Sequence, residues 1–204
     1  EVIESICSAR PQPGAIEIPI DLQYATTEKP APIIDTPATV TADDELLKQA
    51  IETIKTAGKR VILAGGGVST QAASDALRQF AEAIDAPVIT SPNGKGAIAA
   101  DHPLHLGPVL MSRPVLQVLN EADLLIAVGT RFQAGVAGNQ IKIPLPPIVH
   151  IDVDPRTINL NFTAQVGVVG DAEATLTSLN NAGIEKGDAQ YREKLQSVAS
   201  QSRE

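Results

Sequence analysis

Short apolar runs alternate with segments of helical period along most of this chain, and that alternation is its strongest folding constraint. Val61-Ile62-Leu63-Ala64 and Leu124-Leu125-Ile126-Ala127-Val128 contain no polar residue. A strand with one face in water alternates apolar with polar, so an unbroken apolar run is covered on both faces. Pro87-Val88-Ile89-Thr90, Ile148 to Val153 and Gln165 to Val169 read as three more strands. Between them lie helical patterns. Leu46, Leu47, Ala50, Ile51 and Ile54 make one apolar face, opened by Thr41 and Asp44 in the manner of a capping box and ended at Gly58. Ala73, Ala76, Leu77, Phe80 and Ile84 make another. Ser112 to Asn120, residues 171–181 and a polar, amphipathic stretch at 187–203 complete the series. The expected fold is α/β, a Rossmann-like parallel sheet of five or six strands over residues 41–183 with helices on both faces.

Composition narrows the function. The 204 residues suffice for one domain with its own core. That core is aliphatic, since the chain has two Tyr, three Phe and no Trp. A formal net charge of −8 argues against nucleic acid or an anionic membrane as partner. No apolar run approaches the roughly 20 residues of a membrane span. No signal peptide is visible, and the single Cys7 excludes an intrachain disulfide and multi-thiolate metal sites, which suits a cytoplasmic protein. The sequence opens without Met, inside a helical pattern, as a piece of a longer chain would.

Domain organisation follows from the breakers. Residues 1–8 read as the end of a helix, broken by Pro11, Pro13 and Gly14, and Gly14 to Pro19 as a short strand. Residues 1–22 are thus expected to end a preceding domain or to pack back on this one as an appendage. Residues 23–40, with Pro30, Pro32 and Pro37, have linker composition. Residues 41–185 are the expected nucleotide-fold domain, and 186–204 a helix leading toward a further domain.

In parallel sheets ligands bind outside the carboxyl ends of the strands. Glycine-rich or polar clusters stand at each expected end: Gly65–Gly67, Ser91–Gly96, Gly129–Arg131, Asp152–Asp154 and Gly170–Ala172. Gly65-Gly66-Gly67 suits either a phosphate approach at a helix N-terminus or a tight turn without ligand. The dinucleotide fingerprint is incomplete: Thr70 stands where its third glycine belongs, and the ribose-binding acid after the second strand is missing, with Asp85 at that strand's wrong end. Asp152 is placed to accept hydrogen bonds from ribose or adenine, and Asp154, before Pro155, to cap a turn. Arg131 is placed either to fork onto a phosphate or to pair with a surface carboxylate. His102, His105 and His150 lack metal-ligand spacing, and no Gly-x-Ser-x-Gly elbow occurs.

Taken in order, Pro13-Gly14-Ala15-Ile16-Glu17-Ile18-Pro19-Ile20-Asp21, Ala64-Gly65-Gly66-Gly67, Pro87-Val88-Ile89-Thr90, Gly94-Lys95-Gly96, Asp101-His102-Pro103-Leu104, Leu106-Gly107, Val128-Gly129-Thr130-Arg131-Phe132, His150-Ile151-Asp152-Val153-Asp154-Pro155 and Gly170-Asp171-Ala172 resemble one family. It is the central domain of thiamine diphosphate-dependent enzymes of the acetolactate synthase and 2-oxo acid decarboxylase group. The resemblance covers nearly the whole chain and lies in the order of the motifs, none of which is specific alone. It implies a parent subunit of three α/β domains. The first, pyrimidine-binding, supplies a glutamate that activates the cofactor, and residues 1–22 resemble its end. The last holds the diphosphate through magnesium.

The resemblance assigns the chain a supporting part. Gly170-Asp171-Ala172 lacks the final glycine of the family's magnesium motif and Asn180-Asn181 follow too soon, so no catalytic residue, thiamine ligand or metal ligand is expected here. FAD or an adenine nucleotide such as ADP is the cofactor that this piece can hold. By resemblance to the FAD-binding members, its contacts are Gly65, Gly66, Gly67, Leu106, Gly107, Gly129, Thr130, Arg131, Asp152, Asp171 and Ala172. Gln133 and Ala134 depart from an acidic pair in those enzymes, and Pro108 and Val109 from a Met-His-Gly stretch. The expected partners are the flanking domains of the same chain and further copies in a dimer or tetramer. A stand-alone nucleotide-binding module and a nicotinamide-dependent enzyme of similar fold are the rival readings.

Overall fold

The computed structural model describes residues 6–7, 10–28, 38–108, 113–132 and 145–201. The chain forms two compact units, Glu1–Thr39 and Val40–Glu204. In the first, residues 11–19 have no regular structure and Ile20–Gln23 form a short helix, α1. The strand expected over Gly14–Pro19 is absent. A strand is held by ladder bonds to a neighbour, and no other described segment of this unit supplies one. Local bonds take their place: Gln23 Nε2 donates to the Ile18 carbonyl at 3.0 Å and Leu22 N to the Pro19 carbonyl at 3.1 Å. The helix expected over residues 1–8 lies mostly outside the described residues; Ile6 and Cys7 are helical.

The second unit is built on β1 (Arg60–Ala64), β2 (Val88–Thr90), β3 (His105–Gly107), β4 (Leu124–Val128), β5 (Ile148–Asp152) and β6 (Val166–Val169). These pair as one six-stranded sheet in the order β3-β2-β1-β4-β5-β6, every ladder parallel. The helices are α2 (Asp44–Thr56), α3 (Gln71–Ile84), α4 (Arg113–Leu119), α5 (Ala172–Asn180) and α6 (Ala189–Gln201). The apolar strands carry two cores because side chains alternate across the sheet. Ile62, Ala64, Ile126, Val128, Val149 and Ile151 face a core with Ala50 and Ile54 of α2, Leu77 and Phe80 of α3, and Leu176 and Leu179 of α5. Val61, Leu63, Leu125 and Ala127 face the other, with Val115 and Leu119 of α4 and Tyr191, Leu195 and Ala199 of α6.

The structure corrects one local reading and locates one strand that the sequence left unplaced. Helix α2 is capped by Asp43, not Thr41: the Asp43 carboxylate accepts from Glu45 N and Leu46 N, both at 3.0 Å. An aspartate adjoining the first turn meets two free N–H groups and adds charge that favours the helix dipole. The sixth strand that the expected sheet allowed for is β3, His105–Gly107, a segment to which the sequence reading assigned no element. With three residues it has no periodicity of its own and exists only through pairing with β2, across a register irregularity.

The terminal helix α6 belongs to the second unit. Tyr191 OH donates to the Val118 carbonyl at 3.1 Å, and Arg192 Nη1 reaches both Asp85 oxygens at 2.9 Å. The approach to α6 is tied down by Gly187 N to the Ile84 carbonyl and Asp188 N to the Gly58 carbonyl. The buried Arg60 guanidinium also donates to the Glu185 carbonyl at 2.6 Å.

Candidate functional site

Because every strand is parallel, all carboxyl ends lie on one edge of the sheet. In space they run from Gly107 through Ser91, Gly65, Gly129 and Asp152 to Gly170. The chain works outward from β1 through β2 to β3, then resumes on β1's other side with β4. The switch point, where such sheets open a crevice, thus falls between Gly65–Gly67 and Gly129–Thr130.

Here the two loops touch. Gly65 N donates to the Val128 carbonyl at 2.8 Å and Gly67 N to the Gly129 carbonyl at 2.9 Å. A Cβ on Gly65 would lie 2.2 Å from Gly129 O, and one on Gly67 would lie 2.6 Å from Gly129 Cα. Gly129 itself has φ +60°, and Gly94 fits under Ala64 O, which its Cβ would meet at 2.2 Å. The glycines thus serve backbone-to-backbone packing at the junction of β1, β2 and β4. The N–H groups of Gly65, Gly67, Gly94 and Gly129 are all given to carbonyls, and Thr70 caps α3 by accepting from Ala73 N.

Beyond Gly129 the edge becomes polar. Thr130 is buried, its Oγ1 accepting from Phe132 N at 3.2 Å, and its carbonyl lies 2.8 Å from His150 Nε2. Phe132, at φ +54°, packs edge-on to the His150 ring, with centroids 5.3 Å apart. Arg131 projects an exposed side chain, while its carbonyl accepts from Asn161 Nδ2 at 2.6 Å. His150 and Asp152, two residues apart on β5, share one face of the sheet. Asp152 is 2% exposed; its Oδ1 accepts from Asp154 N at 2.9 Å, and its buried Oδ2 has no partner among the described residues. Thr90 Oγ1, at the end of β2, is likewise buried without a partner. Most buried polar groups in folded proteins are hydrogen-bonded, so an unpartnered one is a place where water or a ligand can bind.

The remaining candidates divide. Asp171 caps α5, its Oδ1 accepting from Ala174 N at 3.0 Å, and Ala172 is the buried first residue of that helix. Gly170 N donates to the Asp152 carbonyl, so this turn adjoins β5. Leu106 is a core side chain and Gly107, at φ +74°, pairs with Ile89, so both lie on the outermost strand with β2 between them and β1. Asp154 caps the turn Pro155–Thr157 by accepting from Arg156 N. His150 and Thr90 were not among the sequence candidates. The signal for His150 was its i, i+2 spacing from Asp152; Thr90 had none, because its isolation depends on packing. Among the described residues no three His, Cys, Asp or Glu side chains gather to hold a metal ion, and no helix is long and apolar enough to cross a membrane.

Burial holds the His150 pKa below its ordinary 6.5, against the smaller opposing pulls of the Thr130 carbonyl and the Asp152 charge. The folded ring stays neutral where the unfolded ring takes a proton, so the unfolded state binds more protons and stability falls as pH drops through 6.5. The unfolding free energy from urea titration should therefore decrease from about pH 8 to about pH 6, by at most about 1.4 kcal/mol per pH unit. His150→Gln, which keeps a donor for Thr130, should flatten that slope. An equal slope in parent and variant would refute the assignment.

Comparison with known proteins agrees with this architecture. Residues 47–179 match the family model described as thiamine pyrophosphate enzyme, central domain. Acetolactate synthase isozyme 2 large subunit of Escherichia coli is 34% identical over 182 residues, covering 88% of this chain and 33% of that protein. A Pseudomonas aeruginosa protein carrying the name probable 2-ketoarginine decarboxylase is 35% identical over 175 residues, covering 84% of this chain and 31% of that protein. A solved structure described as a thiamin diphosphate-dependent enzyme from Mycobacterium smegmatis superposes with a TM-score of 0.66 at 28% identity, covering 79% of this chain and 31% of that one. The chain thus spans about a third of the length of these relatives. Sheet order, motif order and the match over residues 47–179 agree: the chain belongs to the family of thiamine pyrophosphate enzyme central domains.

Proposed function

We propose that this chain is the central domain of a larger thiamine diphosphate-dependent enzyme acting on 2-oxo acids, either a carboligase of acetolactate synthase type or a decarboxylase. In this reading residues 1–22 end a pyrimidine-binding domain, 23–40 link it to the central domain at 41–185, and 186–204 lead toward the next. The alternating Ile16, Ile18 and Ile20, all exposed in the first unit, support a segment whose sheet lies elsewhere. The parent protein would be a cytoplasmic homo-oligomer.

Thiamine diphosphate, as an electron sink, supplies the carbanion chemistry of such an enzyme. The residues of this chain do not fit its magnesium site. The Asp171 carboxylate is committed to capping α5, and Gly170 is hemmed in by Thr175 and Ala42. The domain's part is instead scaffold and a site for FAD or an adenine nucleotide. The observation that carries this is the buried Oδ2 of Asp152 at the carboxyl edge, without a partner among the described residues and suited to a ribose hydroxyl or an adenine amine. The exposed Arg131 side chain is the phosphate contact in this reading. Gly65 and Gly67 shape the loop beneath it, since their N–H groups are engaged.

Calorimetric titration of the purified chain with FAD, with ADP, and with thiamine diphosphate plus magnesium tests the proposal. Weak nucleotide binding is expected, because one domain offers only part of a site and the ligand's ordering cost is undiminished. Asp152→Asn should weaken it by about 10- to 100-fold, the worth of one hydrogen bond to a charged group. No heat is expected from thiamine diphosphate. Saturable micromolar binding of thiamine diphosphate would overturn the reading, and nucleotide binding indifferent to Asp152→Asn would move the site elsewhere.

A further inference from the structure

The opposite, amino edge of the sheet carries an open groove of about 680 Å³ that the proposed function does not use. It lies between the end of α3, residues 102–104 and α6. His102 lines it and is bonded at both ring nitrogens. Nδ1 accepts from Leu104 N at 3.2 Å, and Nε2 lies 3.1 Å from Glu82 Oε1. An N–H aimed at Nδ1 requires a lone pair there, so the proton sits on Nε2 and is donated to Glu82. The Leu104 amide thus depends on a neutral ring. Leu104 is 6% exposed, and its carbonyl accepts from Val88 N at 2.8 Å, so this residue joins the turn to β2 directly ahead of β3.

We propose that His102 is an acid-released latch on the connection between β2 and β3: the neutral ring holds the Leu104 amide, and protonation at Nδ1 releases it. A second proton would put two N–H groups head to head, and the amide cannot change its polarity. The charges around the ring set the balance. Glu82, itself paired with Arg78 at 3.1 Å, faces it from α3 together with Asp85. Arg192 and Glu193 face it from α6, and Asp101 and His105 flank it in the chain. Glu82 keeps the ring in place in both states, because Nε2–H is donated to it in both, so protonation frees Leu104 without ejecting His102. The freed residue precedes His105–Gly107, so acid loosens the edge strand.

Histidine changes charge between about pH 5 and 8, which defines the window for the test. Long-range ¹H–¹⁵N spectra of the imidazole groups in the purified chain should show His102 as the Nε2–H tautomer at about pH 8. The Leu104 amide, its exchange corrected for intrinsic rate, should lose protection at least about 10-fold between about pH 8 and pH 6. His102→Asn keeps an acceptor two residues before the amide, as in an Asx-turn, and cannot titrate. In that variant the loss at Leu104 should shrink to the loss shared by core amides, which follows global stability through His150. An Nδ1–H tautomer at the higher pH would overturn the latch without recourse to any variant. So would unchanged Leu104 protection in the parent, or an equal loss in His102→Asn, which would mark global destabilisation instead.

Discussion

Gly129→Ala should destabilise this chain by about 2–5 kcal/mol, and Gly65→Ala by about 1–3 kcal/mol, though each adds one methyl group. The two costs differ in origin. Gly65 has φ −102° and ψ −171°, extended backbone that any residue adopts, so its requirement is purely steric: the new Cβ would lie 2.2 Å from Gly129 O and 2.6 Å from Thr130 Cα. Neither atom is the end of a flexible side chain, so the loops must separate and the bonds Gly65 N to Val128 O and Gly67 N to Gly129 O must stretch. Gly129 adds conformational strain at φ +60° to a contact of 2.5 Å with Gly67 Cα. Gly183, at φ +62° with nothing within 4 Å, isolates the conformational part. Gly183→Ala should cost only about 1–2 kcal/mol. Urea unfolding of the three variants should place Gly129→Ala lowest. A Gly65→Ala midpoint equal to the parent's would mean that the loops do not meet as described.

Removing residues 186–204 should abolish cooperative folding. Helix α6 takes Tyr191, Leu195 and Ala199 into the core over β1 and β4, each at most 4% exposed. Burying a large apolar side chain is worth about 1.5–3 kcal/mol, so Tyr191 and Leu195 alone account for about 3–6 kcal/mol. The whole stability of a domain is about 5–15 kcal/mol. Truncation also strips the cover from Val115, Leu116 and Leu119 of α4 and removes the partner of Asp85. Leu195→Ala, leaving a cavity in the same place, should cost about 2–5 kcal/mol. Circular dichroism of the truncated chain should show no sharp thermal transition. A truncated protein with the parent's melting temperature would show the helix to be an appendage.

Much of this was legible in the residues. Wholly apolar runs such as Leu124–Val128 can satisfy water only by being covered on both faces, which implies a parallel sheet between helix layers. The helical spacing of Ala73, Ala76, Leu77, Phe80 and Ile84 chose the inward face of α3, and all five are buried. The placement of glycines and acids at the strand ends followed from the same periodicity. His105–Gly107 was not legible as a strand, since three residues show no period. The expected strand at Gly14–Pro19 had the right alternation but no described neighbour to bond.

What sequence alone determined, then, is whatever depends on near neighbours: which segments are strands or helices, and which side chains face inward. The tertiary structure decided what depends on residues far apart in the chain meeting. Gly65–Gly67 read equally well as a phosphate cradle or a tight turn. What only the fold supplies is Gly129, more than sixty positions away, whose carbonyl takes the Gly67 amide. The sequence placed Asp152 at a strand end as an acceptor for ribose or adenine, but only packing shows that one of its oxygens is buried without a partner among the described residues. Hydrogen-bond satisfaction is a property of the assembled surroundings, because the cost of an unmade bond is set by whether water can reach it.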